Sequence, residues 1–180
     1  MRKLLSLLMA LLLCCFSAHS QLMVSKLVGK HSENSKIGFG IFAFYDFPLN
    51  EEGNRSARIE LLDLAYFPKK DQNRSSTLGY ASIKLGYKYI FSDTRTGFYL
   101  EPQAGYCRTV FDDVMNPDAG GEDGVALALE GGYSLEVGER ENILNFGLKY
   151  EKDMTGAATS IGSIGFRVYY SFGLFRRRSD

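Results

Sequence analysis

Several features that would define other protein classes are missing from this sequence. Tryptophan is absent, and the 180 residues include only two histidines and three cysteines. Beyond the N-terminus no run of about 18 apolar residues occurs, so no transmembrane helix is expected. The sequence has no Gly-x-Ser-x-Gly elbow and no glycine-rich phosphate loop, and it shows no internal repeat. These absences argue against a helical membrane protein and against the common motif-bearing enzymes.

The charge balance gives no sign of a nucleic-acid partner. The chain has 21 basic and 21 acidic residues. Two of the basic residues, Arg2 and Lys3, lie in a predicted leader, and without that leader 19 basic and 21 acidic residues remain. A nucleic-acid-binding protein needs a basic stripe or patch, which a balance of −2 does not favour.

The first 20 residues are typical of a secretory signal peptide. Arg2 and Lys3 form a short positive region, and an apolar run follows from Leu4 to Phe16. Small residues at Ala18 and Ser20 then favour cleavage before residue 21. The apolar run of about 13 residues is short for a membrane span. We therefore predict that residues 1–20 are a signal peptide.

The cysteines leave a second kind of processing open. Lipoprotein processing at Cys14 or Cys15 is an alternative, but Leu13 and Cys14 precede these positions where glycine, alanine or serine is usual. Cys107 is then the one cysteine of the mature chain, so it cannot form an internal disulfide. We expect it to be a small side chain that points into a crowded interior.

Alternation with a period of two dominates the remaining sequence. Glycine occurs 19 times, tyrosine 11 times and phenylalanine 13 times, which suits an all-β chain with many turns. Near the C-terminus Phe166, Val168 and Tyr170 share one face, whereas Arg167 and Ser171 share the other. Large apolar residues opposite small and charged ones are typical of a strand with lipid outside and a narrow polar lumen inside.

Eight such strands can be recognised, and they predict an all-β fold, a closed antiparallel up-and-down transmembrane β-barrel. The strands are expected near residues 22–29, 36–46, 56–67, 79–91, 98–107, 125–137, 143–150 and 162–174. Asp63 breaks the alternation of the third strand and predicts a β-bulge. The second strand is apolar on both faces because of Phe42 and Phe44, so its faces are not assigned. Residues from Lys152 to Thr159 are expected to form a loop.

The polar faces predict a closed lumen with balanced charges. Eight strands leave an interior that side chains just fill. Unpaired charges would be unfavourable there, whereas paired charges are tolerated. Four acidic and four basic residues are predicted to face the lumen, namely Glu60, Lys84, Lys88, Glu101, Glu130, Glu136, Lys149 and Arg167.

Two alternatives keep the same alternation. A small channel or transport barrel would have an open lumen, which the balanced charges argue against. A soluble exported barrel of the lipocalin type would use the apolar face to line a ligand cavity. Alternation alone does not distinguish that inverted arrangement from a membrane barrel.

The apolar faces carry aromatic residues near one end. In membrane barrels such residues form girdles at the membrane–water interface. The predicted periplasmic girdle consists of Tyr87, Tyr89, Phe91, Phe98, Tyr170 and Phe172. An even strand number places both termini on this same side.

The last strand carries a pattern similar to the recognition signal at the end of outer-membrane barrels. Ser163, Gly165, Val168 and Tyr170 fit it. With the leader and the girdle, residues 21–175 resemble the small OmpA- or OmpX-like outer-membrane β-barrels of Gram-negative bacteria. The resemblance implies a location in the outer membrane, contact with its lipid and recognition by the barrel-assembly machinery. Residues 176–180 are expected to be a basic C-terminal tail.

Candidate chemical sites are few. His31, Ser32 and Glu33 are adjacent, and neighbouring side chains of an extended chain point in opposite directions, so they do not predict a catalytic triad. The segment from Phe111 to Asp123 is acidic but lacks the spacing of a calcium-binding loop. We predict a non-enzymatic protein without cofactor or metal, and we expect this segment to be an exposed loop that meets an extracellular ligand.

Overall fold

The chain forms eight antiparallel strands in the computed structural model, which describes residues 21–33, 35–70, 77–112, 121–138, 142–155 and 159–171. A 3-10 helix, Gly29–Glu33, follows the first strand. The strands are β1 (Leu22–Val28), β2 (Gly38–Pro48), β3 (Arg55–Phe67), β4 (Thr77–Ile90), β5 (Gly97–Asp112), β6 (Glu122–Val137), β7 (Asn142–Thr155) and β8 (Thr159–Ser171). Among these residues, no helix is long and apolar enough to cross a membrane.

Each strand pairs with its neighbours in sequence, and β1 also pairs with β8, so the sheet is a closed barrel. Leu22 pairs with Ile41 on one side and with Val168 on the other. A path that starts at Leu22 and follows successive cross-strand pairs reaches β5 from both directions. It arrives at Arg108 through β2 and at Phe98 through β8. This stagger of ten residues tilts the strands by about 40°.

The two surfaces of the barrel have opposite polarity. Apolar side chains such as Leu85, Leu148 and Phe166 are at least half exposed on the outside. Charged side chains such as Lys84, Glu130 and Arg167 are almost fully buried inside. A soluble lipocalin-like barrel requires the reverse arrangement, and that alternative is therefore wrong. The predicted all-β, closed, transmembrane barrel of eight strands is confirmed.

The predicted β-bulge in β3 is confirmed. Glu60 and Asp63 both point inward, and two residues separate them where regular alternation has one. The register with β4 shifts between these two residues, from Glu60 opposite Lys84 to Asp63 opposite Ser82. The bulge brings Asp63 to the same side of the sheet as Glu60, where both meet cations.

The faces of β2, which the sequence left open, are now assigned. Phe42 and Phe44 point into the barrel and are nearly fully buried, whereas Phe39 and Phe47 are exposed on the outside. Gly40 also faces inward, where a side chain would meet Met23 and the backbone of Leu64. The lack of a side chain at Gly40 thus leaves room for Met23 and the backbone of β3. The rings of Phe42 and Phe44 occupy part of the lumen.

One predicted loop is wrong in extent. Residues 152–155, expected in a loop, continue β7 to Thr155. Glu151 and Asp153 are buried inside, whereas Lys152 is exposed on the outer face. The segment is polar because its inward positions carry charges, which made a lumen-lining strand resemble a loop. The predicted leader (residues 1–20) and basic tail (residues 176–180) lie outside the described residues.

Candidate functional site

The lumen is filled by charged and aromatic side chains. In the part of the chain that the structure describes, eleven charged residues are buried, five basic and six acidic. They are Arg58, Glu60, Asp63, Lys84, Lys88, Glu101, Glu130, Lys149, Glu151, Asp153 and Arg167. A charge in such an interior is stable only when partners replace its lost hydration. The arrangement of these partners therefore defines what the lumen does.

Two lysines hold three acids together at the centre of the lumen. The Nζ atom of Lys84 lies 2.7 Å from an Asp63 oxygen, 3.0 Å from Glu60 and 2.8 Å from Glu151. Lys149 reaches the same Asp63 oxygen at 2.6 Å and also pairs with Glu151. We call these five residues the central ion cluster. Each lysine contacts several carboxylates, so the cluster behaves as one unit rather than as separate pairs.

Arg167 crosses the lumen between strands that are not neighbours. From β8, its Nη2 atom lies 2.7 Å from Glu60 of β3, and its Nη1 atom lies 2.9 Å from Glu130 of β6. Its guanidinium also lies 3.4 Å from the centre of the Phe42 ring. The planar, forked guanidinium suits this bridging role, because it bonds in two directions and stacks on a ring at the same time.

Nearer the turns at residues 49–54 and 91–96, cations pack on aromatic rings. Arg58 forms a two-point ion pair with Asp46 at 2.7 and 2.8 Å and lies 3.0 Å from Glu101. Its guanidinium lies 3.8 Å from the centre of the Phe44 ring and 4.8 Å from that of Tyr169. A cation over a desolvated ring face is stabilised by the ring quadrupole.

Lys88 repeats this arrangement from β4. Its Nζ atom lies 4.1 Å from the centre of the Tyr99 ring and donates a hydrogen bond of 2.6 Å to Asn145. The hydroxyls of Tyr99 and Tyr169 both donate to the same oxygen of Glu130, at 2.6 and 3.1 Å. We call Arg58, Lys88, Phe44, Tyr99 and Tyr169 the cation–ring cluster. Glu130 links it to Arg167 and so to the central ion cluster.

Seven of the eight charged residues that the sequence assigned to the lumen are buried there. The assignment of Glu136 to the lumen was wrong. Glu136 is exposed and pairs across the sheet with Ile143, close to the turn that follows Gly138. It has the right parity for the inner face, but it lies too near the barrel end to be covered.

Four further buried charges were not assigned to the lumen from the sequence, namely Arg58, Asp63, Glu151 and Asp153. The signal for Arg58 was its spacing of two from Glu60, and that for Asp153 was its spacing of two from Glu151. A charge at every second position identifies an inner face even where the segment looks like a loop.

Five of the six predicted girdle residues lie at one end of the outer surface. Phe91 and Phe98 flank the turn at residues 92–96 and are 62% and 70% exposed. Tyr87 and Tyr89 precede it on β4, and Tyr170 lies near the corresponding end of β8, opposite Leu144. Phe172 lies outside the described residues.

The four residues of the predicted assembly signal lie on both faces of β8. Ser163 is buried on the inner face, and Gly165 is tightly packed there against Ser25 and Met23. Val168 and Tyr170 occupy the outer face by alternation. The pattern therefore presents two small residues to the lumen and two large ones to the outside.

The residues considered for catalysis, His31, Ser32 and Glu33, belong to the 3-10 helix that follows β1. Ser32 lies in the 3-10 helix, where its hydroxyl donates a hydrogen bond of 2.7 Å to the carbonyl of Gly29. Cys107 is fully buried on the inner face. Within the described ranges, no group of three or more His, Cys, Asp or Glu side chains is arranged to hold a metal ion.

The acidic segment expected to meet a ligand is only partly described. Residues 113–120 lie outside the described ranges, whereas Glu122 and Asp123 begin β6. Asp123 accepts a hydrogen bond of 2.5 Å from the Tyr106 hydroxyl and lies 3.8 Å from Arg108. Tyr106, Arg108 and Asp123 are each more than half exposed on the outer surface of the barrel.

Comparison by sequence gives no relative, since no protein-family model and no curated protein matches the chain. Comparison of the folded structure with solved structures does find similar proteins. Neisserial surface protein A superposes with a TM-score of 0.65 over 84% of this chain and 92% of that chain, at 15% identity. The outer membrane enzyme PagL gives 0.51 over 84% and 98%, at 10% identity. Ail, the attachment invasion locus protein of Yersinia pestis, gives 0.48 over 86% and 96%, at 12% identity.

These likenesses identify the class of fold. The chain has the fold of the small bacterial outer-membrane β-barrels, and the resemblance predicted from its sequence is confirmed at that level. One of the two better-matching structures is that of a surface protein and the other that of an enzyme. The fold therefore supports more than one activity, and the function has to be argued from the lumen and the surfaces of this chain.

Proposed function

We propose that this protein is a closed, non-conducting outer-membrane barrel that acts as an interaction protein through its outer end. The observation that carries this proposal is the bridge formed by Arg167. It joins Glu60 of β3 to Glu130 of β6 across the lumen, and its guanidinium covers the ring of Phe42. We infer that a fully buried network at this level closes the lumen to water.

The distribution of strand length supports the outer end as the interaction surface. β5 and β6 each have 16 residues, whereas β1 has 7 and β2 has 11. About 10 residues suffice for a tilted strand to cross a membrane. The longer strands therefore raise one side of the barrel above the lipid, with Asp112 of β5 and Glu122 of β6 at its outer end. This raised side is where we place contact with an extracellular ligand.

The charges inside are structural in this proposal. A channel would need unfilled space between charged groups, but Lys84 and Lys149 each contact several carboxylates. An enzyme would need accessible polar groups, whereas Ser32 already bonds to the backbone of its own helix. The pattern at Ser163, Gly165, Val168 and Tyr170 serves assembly by the barrel-assembly machinery.

Conductance in planar bilayers tests the closed lumen. We expect the purified wild-type barrel to give no steady current. The double variant Arg167→Ala, Glu130→Ala removes one positive and one negative group and opens a space at the centre, so it is expected to give a small, fluctuating current. The matched control, Arg108→Ala with Asp123→Ala, removes an exposed pair of the same charges and should stay silent.

Two outcomes would count against the proposal. A steady wild-type current would favour a transport function. Equal currents from both double variants would show that the central network does not close the lumen. Each preparation is first checked on a gel without and with boiling, because a folded barrel changes mobility on boiling. A protein found in the soluble periplasmic fraction, without that change, would contradict membrane insertion itself.

A further inference from the structure

The side chain of Gln21, the residue before β1, lies on the inner face of the barrel. Only 3% of its surface is exposed, and it shares its parity with Met23, Ser25 and Leu27, which are buried inside. A glutamine is usually found at a protein surface, because burial takes its amide away from water. What this amide contacts therefore matters for the stability of this part of the barrel.

The Gln21 carboxamide has lost its water without gaining a partner. Its Oε1 and Nε2 atoms are both buried, and neither forms a hydrogen bond with any residue that the structure describes. The oxygen can accept hydrogen bonds and the nitrogen can donate them. Leaving such groups buried and unpaired is unfavourable, so nearly all of them are paired in native proteins. The exception at Gln21 needs an explanation specific to this residue.

The neighbours of Gln21 on the adjoining strands are aromatic. The pairing of Leu22 with β2 and β8 places residue 21 beside Phe42 on one side and Tyr169 on the other. The two rings meet edge to face, with their centres 5.7 Å apart. The Tyr169 hydroxyl donates its hydrogen bond to Glu130. The position therefore presents ring surfaces, which suit a compact and uncharged group.

The predicted cleavage before residue 21 gives this glutamine a chemistry of its own. It becomes the N-terminal residue and has a free α-amine beside its carboxamide. The amine nitrogen can attack the side-chain Cδ atom, so that a new C–N bond forms and the bond from Cδ to Nε2 breaks. An amine proton passes to the departing nitrogen, and ammonia leaves. The product is pyroglutamate, an uncharged lactam, and its formation needs no oxidant, reductant or cofactor.

We propose that Gln21 becomes an N-terminal pyroglutamate in the mature protein, and that its lactam ring is enclosed beside Phe42 and Tyr169. The inference goes beyond the proposed function and rests on the predicted cleavage before residue 21. Loss of ammonia removes Nε2, one of the two unpaired atoms, and converts the charged α-ammonium into an uncharged amide. An uncharged amide costs far less free energy to bury than an ammonium does.

Mass spectrometry of the N-terminal peptide tests the modification. For the wild-type protein, purified from the outer-membrane fraction, we expect a peptide that begins at residue 21 and is lighter by one ammonia than the unmodified sequence. Gln21→Asn should abolish this mass loss, because its side chain is one methylene too short to close the same ring. Gln103→Asn makes the same change at a buried glutamine of β5 and should leave the mass loss in place.

Pyroglutamyl aminopeptidase tests whether the lactam is enclosed. This enzyme removes an accessible N-terminal pyroglutamate, so we expect it to act on the urea-unfolded chain and to leave the folded barrel intact. A gel run with and without boiling shows which samples are folded. Equal removal from the folded and unfolded protein would overturn the enclosure of the ring.

Two results of the peptide measurement would overturn the modification itself. One is a wild-type peptide that begins at Gln21 with its full mass. The other is a peptide that begins at a different residue, which would show that the predicted cleavage is wrong. Neither result depends on whether the lumen conducts, so the proposed function is tested separately.

Discussion

The two clusters of the lumen stabilise buried cations in different ways. In the central ion cluster, Lys84 and Lys149 are surrounded by carboxylates. In the cation–ring cluster, Arg58 and Lys88 lie over the rings of Phe44 and Tyr99. Burying a carboxylate beside a cation costs further desolvation free energy, because the carboxylate is itself charged. An aromatic ring is neutral and adds no such cost.

This difference explains how a narrow barrel is both filled and nearly neutral inside. If every buried cation required two or three carboxylates, the lumen would contain many more negative than positive charges. Aromatic rings occupy more volume than carboxylates and take part of the stabilising role. The central cluster thus supplies strong pairing across strands, and the cation–ring cluster supplies volume. The two mechanisms can be separated by mutation.

Arg167→Leu should have the largest effect, because it acts on the group that joins both clusters. The variant leaves Glu60 and Glu130 without their shared cation, and breaking such a buried pair costs about 3–5 kcal/mol of unfolding free energy. Denaturant titration in micelles, followed by far-UV circular dichroism, measures this loss. The control Arg108→Leu removes an exposed pairing and should change stability by less than about 1 kcal/mol. Similar losses in both variants would contradict the bridging role.

Phe44→Leu should have an intermediate effect, confined to the cation–ring cluster. The side chain stays apolar and loses the ring face that Arg58 covers at 3.8 Å. A desolvated cation–π contact contributes about 2 kcal/mol, so a loss of that order is expected in the same titration. Phe166→Leu, on the half-exposed outer face, serves as the control. If the two losses agree, Arg58 is held by its ion pairs alone and the contrast between the clusters fails.

Tyr169→Phe should have the smallest effect. It keeps the ring that packs against Phe44 and Arg58 but removes the hydroxyl that donates to Glu130 at 3.1 Å. One buried hydrogen bond contributes about 1 kcal/mol. The loss should disappear when Glu130→Ala, which removes the acceptor, is already present, and a double-mutant cycle measures this. A loss well above that of Phe44→Leu would reverse the order of the two contributions.

Alternation was enough to predict most of the barrel. In β4 to β8 large apolar residues occupy one face, so the inward position of Lys84, Lys149 and Arg167 could be read directly from the sequence. The strand number and the bulge at Asp63 could be read as well. What made these predictions possible is that lipid accepts only one class of side chain.

The lumen was harder to predict, because its interior accepts two classes of side chain. Charges and aromatic rings both face inward, so Phe42 and Phe44 made both faces of β2 apolar and concealed its orientation. Their partners, Arg167 and Arg58, come from other strands, β8 and β3. Sequence spacing specifies which face a residue occupies, but the pairing of ring and cation depends on the closed barrel.

The bulge in β3 has a consequence for how the chain tolerates changes in length. Across β2, Leu62 pairs with Ala43 and Glu60 with Phe44, so Leu61 is an extra residue there. Loss of Leu61 would join Glu60 to Leu62 in unbroken alternation and keep Asp63 inside. Loss of a residue elsewhere in a spanning strand exchanges inner and outer faces beyond that point. The bulge is therefore a place where this membrane strand can lose one residue during evolution without exchanging its inner and outer faces.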